Sequence, residues 1–392
     1  MSNAQGYADF HRRSIEDRDV FWAEQAKLVD WHKPFDRVCN YDNPPFARWF
    51  EGGLTNLCHN AVDRHLAERA DQPALIFVST ETDQEKTYTF RELHAEVQRM
   101  AAILQDLGVV KGDRVLIYMP MIAEAAFAML ACVRLGAIHS VVFGGFASHS
   151  LASRIEDAQP KVIVSADAGS RGGKAVPYKP LLDEAIERSS YKPASVLMVN
   201  RGLVPFEAVT GRDQDYAKLH AELANAKVPV TWLKATDSSY ILYTSGTTGD
   251  PKGAMLTHRN LVSNAKATYK HLVVGNAVVG PDDTFLSFLP LAHSFERMIH
   301  LLALAAGSKV VYSHGVRTLM DEMATQKPTI MGCVPRVYES IQEKLMETAA
   351  KGPEKNRKLF DETIAVGKKM LEYRQAGKVP GIVTATKHLV LD

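Results

Sequence analysis

The run Y-T-S-G-T-T-G-D-P-K-G, from Tyr243 to Gly253, gathers the groups that hold phosphate. Thr244, Ser245, Thr247 and Thr248 bring hydroxyls. Gly246 and Gly249 free the backbone to aim its amides at one point, and converging amides and hydroxyls make a nest for phosphate oxygens. Lys252 adds a compact positive charge for the same oxygens. An apolar β run, Tyr240 to Tyr243, leads into the loop. The spacing is not the G-x-x-x-x-G-K-[ST] of a Walker A loop, and Pro251 and Gly253 keep a helix from following at once. A flexible Gly/Thr surface loop shares this composition. Two Thr-Gly units followed by Pro-Lys-Gly after a β run set this one apart.

Two further segments carry candidate chemistry. S-R-G-G-K-A-V-P-Y-K, Ser170 to Lys179, brackets Gly172 and Gly173 with Arg171 and Lys174, and the residues alone fit a solvated basic turn as well as an anion site. His293, in P-L-A-H-S-F-E-R, ends an apolar run and precedes a helical pattern, so a structural hydrogen bond at a helix start accounts for it equally well. Arg336 and Tyr338 read as packing and ion-pair residues.

These segments sit on an alternation of strands and helices. Ala74 to Val78, Arg114 to Tyr118, Ile138 to Phe143, Lys161 to Ser165, Tyr240 to Tyr243, Thr284 to Leu289, Lys309 to Tyr312 and Thr329 to Cys333 read as strands. Between the first two, Thr89 and Glu92 form a capping box. Leu93, Val97, Met100, Leu104 and Leu107 line one face of the helix that follows, and Gly108 ends it. Pro120 opens another helix, Ser148 caps a third, and further helices follow Thr257, Ser294 and Pro335. The rhythm predicts an α/β fold with two mostly parallel sheets and flanking helices. The expected divisions are an aromatic N-terminal arm with one short helix over 1–55, a first α/β subdomain over 56–235 and a second over 236–392, with Gly202 to Lys227 as a connector.

Bulk properties narrow the class. Of 392 residues, 46% are hydrophobic and 23% charged, with a formal net charge of +1, which is globular composition without the basic excess of a nucleic-acid binder. Cys39, Cys58, Cys132 and Cys333 are widely spaced and read as reduced, mostly buried thiols rather than a disulfide or zinc framework. The start lacks an apolar core for a secretory signal. Met119 to Leu135 is too short and too polar to span a bilayer and reads as a buried helix. A cytoplasmic protein is the expectation.

T-S-G-T-T-G-x-P-K-G resembles the signature of the adenylate-forming superfamily, the AMP-dependent acyl-CoA synthetases, luciferases and peptide-synthetase adenylation domains. The resemblance implies the layered αβαβα N-terminal region of that fold and a two-step reaction. ATP and a carboxylate give an acyl-adenylate and pyrophosphate; coenzyme A then displaces AMP. It implies that Thr244 to Gly249 and Lys252 hold ATP phosphates, that Thr248 lies near Mg²⁺, and that Lys252, Thr248 and His293 serve the chemistry, His293 beside the acyl-adenylate. R-W-F-E-G-G-L-T-N-L-C-H-N-A-V-D-R-H-L (Arg48 to Leu66), K-G-D-R-V (Lys111 to Val115), H-S-V-V-F-G-G-F (His139 to Phe146) and the Ser170–Lys179 run look like acetyl- and propionyl-CoA synthetases. In that family the last region touches coenzyme A, which implies CoA contacts for Arg171, Gly172, Gly173 and Lys174. G-A-M-L-T-H-R-N-L-V-S-N (Gly253 to Asn264), L-P-L-A-H-S-F-E-R (Leu289 to Arg297) and V-P-R-V-Y-E (Val334 to Glu339) look instead like long-chain fatty acyl-CoA synthetases. Either a join within Tyr240 to Gly249, which both families share, or a divergent member mixing the patterns accounts for the change.

The family's later Tyr-Gly-x-Thr-Glu segment, its ribose-binding aspartate and the catalytic lysine of its small C-terminal domain have no counterpart here. The expectation is a chain that lacks that domain, binds nucleotide weakly and turns over little, because losing an electrostatic group from a transition state commonly costs on the order of 10²–10³ in rate. The competing reading is a non-catalytic nucleotide-binding module.

Overall fold

The computed structural model describes residues 4–79, 81–144, 147–171, 174–244, 252–257, 279–313, 318–351 and 354–375, and the single positions 261, 264 and 268. They form two compact units, residues 14–332 and residues 1–13 with 333–392. The second unit is helical where described: Pro335–Lys351, begun by proline as expected, Glu354–Gln375, and the larger part of Ala4–Glu16.

The first unit holds two mostly parallel sheets. The larger has seven strands in the spatial order Asp213–Asp215, Ser195–Val199, Val162–Ala166, Arg114–Met119, Ile138–Phe143, Ser238–Thr244 and Lys252–Thr257. All its pairings are parallel except the last, where Lys252–Thr257 runs antiparallel at the edge. The smaller has five, in the order Ile330–Met331, Thr284–Ser287, Lys309–Tyr312, Pro73–Ser79 and Gln84–Thr89, again parallel except at one edge.

Alternation along the strands explains the layering. Val115 and Ile117 face one side of the larger sheet, into a core shared with Leu93, Val97, Met100 and Leu104 and with Phe285, Val310 and Tyr312 of the smaller sheet. Leu116 and Tyr118 face the other side, against Leu151, Ile155, Leu182 and Ile186 on the helices Ser148–Ala158 and Tyr178–Arg188. A sheet covered on both faces reads as an unbroken apolar run, as this one does. The Thr89–Glu92 capping box forms as read, and helix Phe90–Asp106 buries the expected face. Helix Ala123–Leu135 is buried nearly throughout; Arg134, near its end, reaches Asp63 at 2.9 Å, which satisfies an otherwise costly buried cation. The four cysteines are free, and burial pushes the Cys58 thiol up to about 12, so it is inert at neutral pH.

Several expectations need correction. The sheets do not divide at residue 235. Pro73–Ser79 and Gln84–Thr89 belong to the smaller sheet with strands some two hundred residues later, while Ser238–Thr244 and Lys252–Thr257 complete the larger one. The arm holds more than one short helix: it contains the helices Ala4–Glu16 and Arg18–Ala26 and the hairpin Arg37–Asn43/Phe46–Glu51. The connector contributes the edge strand Asp213–Asp215 and the helix Tyr216–Glu222, capped by Asp215. Ser148 is the first residue of its helix; Ala147 holds the cap position, with no side-chain bond. The helix expected from Pro120 begins at Ala123, and most of the one expected after Thr257 lies outside the described residues.

Candidate functional site

The candidate loop leaves the larger sheet at the carboxyl end of Ser238–Thr244. That strand runs parallel to Ile138–Phe143, with Tyr240 opposite His139, so the two end at the same edge. The chain returns as Lys252–Thr257, and Thr244 and Lys252 are cross-strand partners. The sequence reading missed this second strand. Ser245, Gly246, Thr247, Thr248 and Gly249 lie outside the described residues, as do the side chains of Thr244 and Lys252. What the structure does describe is how the loop is gripped: both its ends belong to one antiparallel ladder.

The leading strand is held from both faces. Inward, the Tyr240 hydroxyl donates to the carbonyl of Ala292 at 3.2 Å, and the Arg297 guanidinium lies 4.7 Å from its ring centre. Arg297 also donates to Nε2 of His139 at 3.0 Å. Outward, the Tyr243 hydroxyl donates to Asp157 at 2.7 Å, and Arg154 lies 5.2 Å from its ring. The strand entering the candidate loop thus has its position set by two tyrosines three residues apart, on opposite faces.

A cleft of about 330 Å³ opens between the sheets at the carboxyl ends of their parallel strands, the usual place for a ligand in such sheets. Ser79, Met119, Gly144 and Ser313 line it just at or beyond four strand ends, and Leu289 to Ala292 form the wall before the helix Ser294–Ala306. Most of the lining is apolar, but Arg201 and Glu81 meet there as an ion pair. Neither residue stands out in the sequence, because their partnership spans the fold. Tyr178 also lines the cleft, and its hydroxyl occupies the space that a Cβ on Gly144 would fill. Gly144 and Tyr178 come from the two quoted motifs H-S-V-V-F-G-G-F and S-R-G-G-K-A-V-P-Y-K. Their close approach is a packing reason for the glycine.

His293 caps the helix Ser294–Ala306, its Nδ1 accepting the Phe295 amide at 3.3 Å, and its side chain is exposed. The structural hydrogen bond that the residues alone suggested is therefore present, directly after the cleft wall. Glu296, one turn on, is buried; Ser287 donates to one carboxyl oxygen, and among the described residues the other has no hydrogen-bond partner. Burial pushes its pKa up to about 7, with the bond from Ser287 working against the shift.

Arg171 and Lys174 end the paired strands Ala168–Arg171 and Lys174–Pro177 and face each other across the hairpin. Lys174 is exposed, and Ser170 lines the cleft. Gly172, Gly173 and the Arg171 side chain lie outside the described residues. Arg336 has its side chain outside them as well, and Tyr338 is exposed. Among the described residues, no group of three or more His, Cys, Asp or Glu gathers to hold a metal, and no helix is long and apolar enough to cross a membrane.

Two layered, mostly parallel sheets, a cleft at their strand ends and a Thr/Gly loop at the same edge define an adenylate-forming architecture. The chain belongs to the AMP-binding enzyme family: the model of that description matches residues 62–374, and one described as acetyl-coenzyme A synthetase N-terminus matches residues 7–61. It is 58% identical over 247 residues to the propionate–CoA ligase of Escherichia coli (strain K12), covering 63% of this chain and 39% of that protein. It is 47% identical over 272 residues to an acetyl-coenzyme A synthetase of Methylobacterium radiotolerans, covering 68% of this chain and 42% of that one. Among solved structures, acetoacetyl-CoA synthetase from Streptomyces lividans superposes with a TM-score of 0.77 at 27% identity, over 86% of this chain and 52% of that chain. The chain thus spans about two fifths of the curated relatives it matches. These relatives are short-chain synthetases; the long-chain likeness after Gly253 rests on its motifs alone.

Proposed function

We propose that this chain serves AMP-forming carboxylate activation, in which a carboxylate attacks the α-phosphate of ATP, pyrophosphate leaves, and coenzyme A then displaces AMP to give the acyl thioester. The observation that carries the reading is the hairpin: the phosphate loop is held at both ends by one ladder, at the edge where the cleft opens. In this reading the hydroxyls and amides of Thr244 to Gly249 and the Lys252 ammonium receive the β- and γ-phosphates and stabilise the departing charge. Mg²⁺ would come with those phosphate oxygens, its ordinary partners. Thr248 is the residue of this chain assigned near it, and no step is routed through the ion. The apolar wall Leu289–Ala292 receives the acyl group beside His293. Arg171, Gly172, Gly173 and Lys174 receive coenzyme A phosphates, a task suited to a guanidinium fork. The relatives' names support a short acyl group, and the Leu289–Arg297 motif supports a longer one. A cytoplasmic setting belongs to the same proposal.

The test combines ATP binding with pyrophosphate exchange on acetate, propionate and palmitate. Binding that weakens about tenfold in Lys252→Ala, the loss of one charge-assisted contact, is expected. Exchange with one of the acids assigns its chain length; binding without exchange favours the non-catalytic module. A wild-type chain that ignores ATP, or a Lys252→Ala variant with unchanged affinity, overturns the loop assignment.

A further inference from the structure

We propose that Tyr243 and Asp157 form a clamp that positions the nucleotide loop, so that Tyr243 acts in nucleotide binding without touching the nucleotide. The inference rests on the reading of Thr244 to Lys252 as the nucleotide site. Tyr243 is the last residue before that run. Its hydroxyl donates to Asp157 at 2.7 Å, and Asp157 lies near the end of the helix Ser148–Ala158, whose other end begins four residues after Gly144 of the cleft. Arg154, one turn earlier on the same helix, places its guanidinium 5.2 Å from the Tyr243 ring. Across the ladder stands Gly253, and a Cβ there would come within 2.9 Å of Ile241, 3.1 Å of the Tyr243 ring and 3.3 Å of the Asp157 carboxylate. The clamp therefore occupies the space beside the return strand, and the last glycine of the motif leaves room for it. Burial and the facing carboxylate both push the Tyr243 hydroxyl pKa up, so it remains a donor throughout the neutral range.

The geometry distinguishes this role from general packing. Ser238–Thr244 is already fixed at Tyr240 by Ala292 and Arg297, so releasing Tyr243 frees only the end that carries the loop. The bond needs an acceptor at position 157, and an amide oxygen can also accept it, though less strongly than a carboxylate.

ATP affinity, by calorimetry on the full chain, is compared in wild type, Tyr243→Phe, Asp157→Ala and Asp157→Asn, alongside melting temperatures. Tyr243→Phe and Asp157→Ala are expected to bind ATP about tenfold more weakly, the scale of one hydrogen bond to a charged group, while Asp157→Asn recovers most of the affinity. Amide exchange is the second readout and needs no ligand. The two disruptive variants should exchange faster at the loop end of the hairpin, 242–244 and 252–254, with Tyr240 and Arg114–Met119 unchanged. Wild type that binds ATP with all three variants alike, or unaltered exchange in the hairpin, overturns the clamp alone. Wild type that binds no ATP overturns the nucleotide reading and the clamp with it.

Discussion

Glu296 shows what a buried carboxyl group does to the balance of the fold. It is 1% exposed, Ser287 donates to it, and burial lifts its pKa from 4.5 to about 7. Between those values the folded chain holds a proton that the unfolded chain has released, so this group's contribution to stability falls as pH rises through that window, and the loss is complete above about pH 7. His300, one turn further, acts in the opposite sense. Burial, aided by the charge of Arg297, lowers its pKa from 6.5 to about 3, so the unfolded state takes up a proton first and stability falls on acidification below pH 6.5. From pH 4.5 to 6.5 the two effects oppose each other. Glu296→Gln removes one and keeps an acceptor for Ser287. Urea denaturation of this variant should show a gain on the order of 1–3 kcal/mol at pH 8, little gain at pH 5 and a steeper acid limb than wild type. A gain of equal size at pH 5 and pH 8 would mean that the buried charge is not its source. At this scale the sequence disclosed the segment but not the environment. H-S-F-E-R marked His293 as a candidate, whereas Arg297 meets His139 and Arg201 meets Glu81 across 158 and 120 residues of sequence, which no local pattern encodes.

Elements buried on both faces, or ending in strong caps, could be read from local chemistry. Ile138–Phe143 and Lys309–Tyr312 have the expected bounds, and the Thr89 capping box forms as spelled out. Edge elements were missed for a physical reason. Lys252–Thr257 and Asp213–Asp215 pair on one side only; the second is short and polar, and the first has an apolar stretch of only three residues, Ala254 to Leu256, after Lys252 and Gly253. Asn56 lies between these cases. The sequence placed it inside a quoted motif, but only the fold gives it work. Fully buried, it accepts from the amides of Cys58 and His59 at 2.8 and 3.2 Å, capping the helix Leu57–Ala61, and it donates to the carbonyls of Val133 and Thr231 at 2.7 and 2.9 Å. One amide thus joins a helix start, a helix end and the segment entering the short strand Leu233–Lys234. Asn56→Asp keeps the cap but loses both donors and turns an anion toward two carbonyl oxygens. Chemical denaturation should register a loss on the order of 3 kcal/mol, larger than for Asn56→Ser. A loss under about 1 kcal/mol would show that the donated bonds matter little.

The whole first unit is interleaved along the chain, and this sets how it folds. Pro73–Ser79 pairs with Lys309–Tyr312, and Ile138–Phe143 pairs with Ser238–Thr244, so neither sheet is complete until its distant partners arrive. The same crossing joins the two motif sets. His139, from the motif H-S-V-V-F-G-G-F, and Arg297, from L-P-L-A-H-S-F-E-R, meet at 3.0 Å beside Tyr240. The sequence rhythm foretold two sheets but laid them end to end, because periodicity reports which residues are buried and not which strand lies beside which. The difference is testable. If residues 56–235 were a subdomain of their own, they would fold alone. The observed pairing leaves Leu75 and Ile76 without their parallel neighbours Val310 and Val311, and the larger sheet without its last two strands. A polypeptide of residues 56–235 should therefore lack a cooperative thermal transition by circular dichroism and expose its apolar strands to a hydrophobic dye. Residues 14–332, which retain both sheets, should melt in one cooperative step, slowed in refolding by their long-range pairings. A sharp melt of 56–235 with a near-ultraviolet spectrum like that of the full chain would show that the first sheet holds together without its later strands, and the interleaving would then carry no energetic weight.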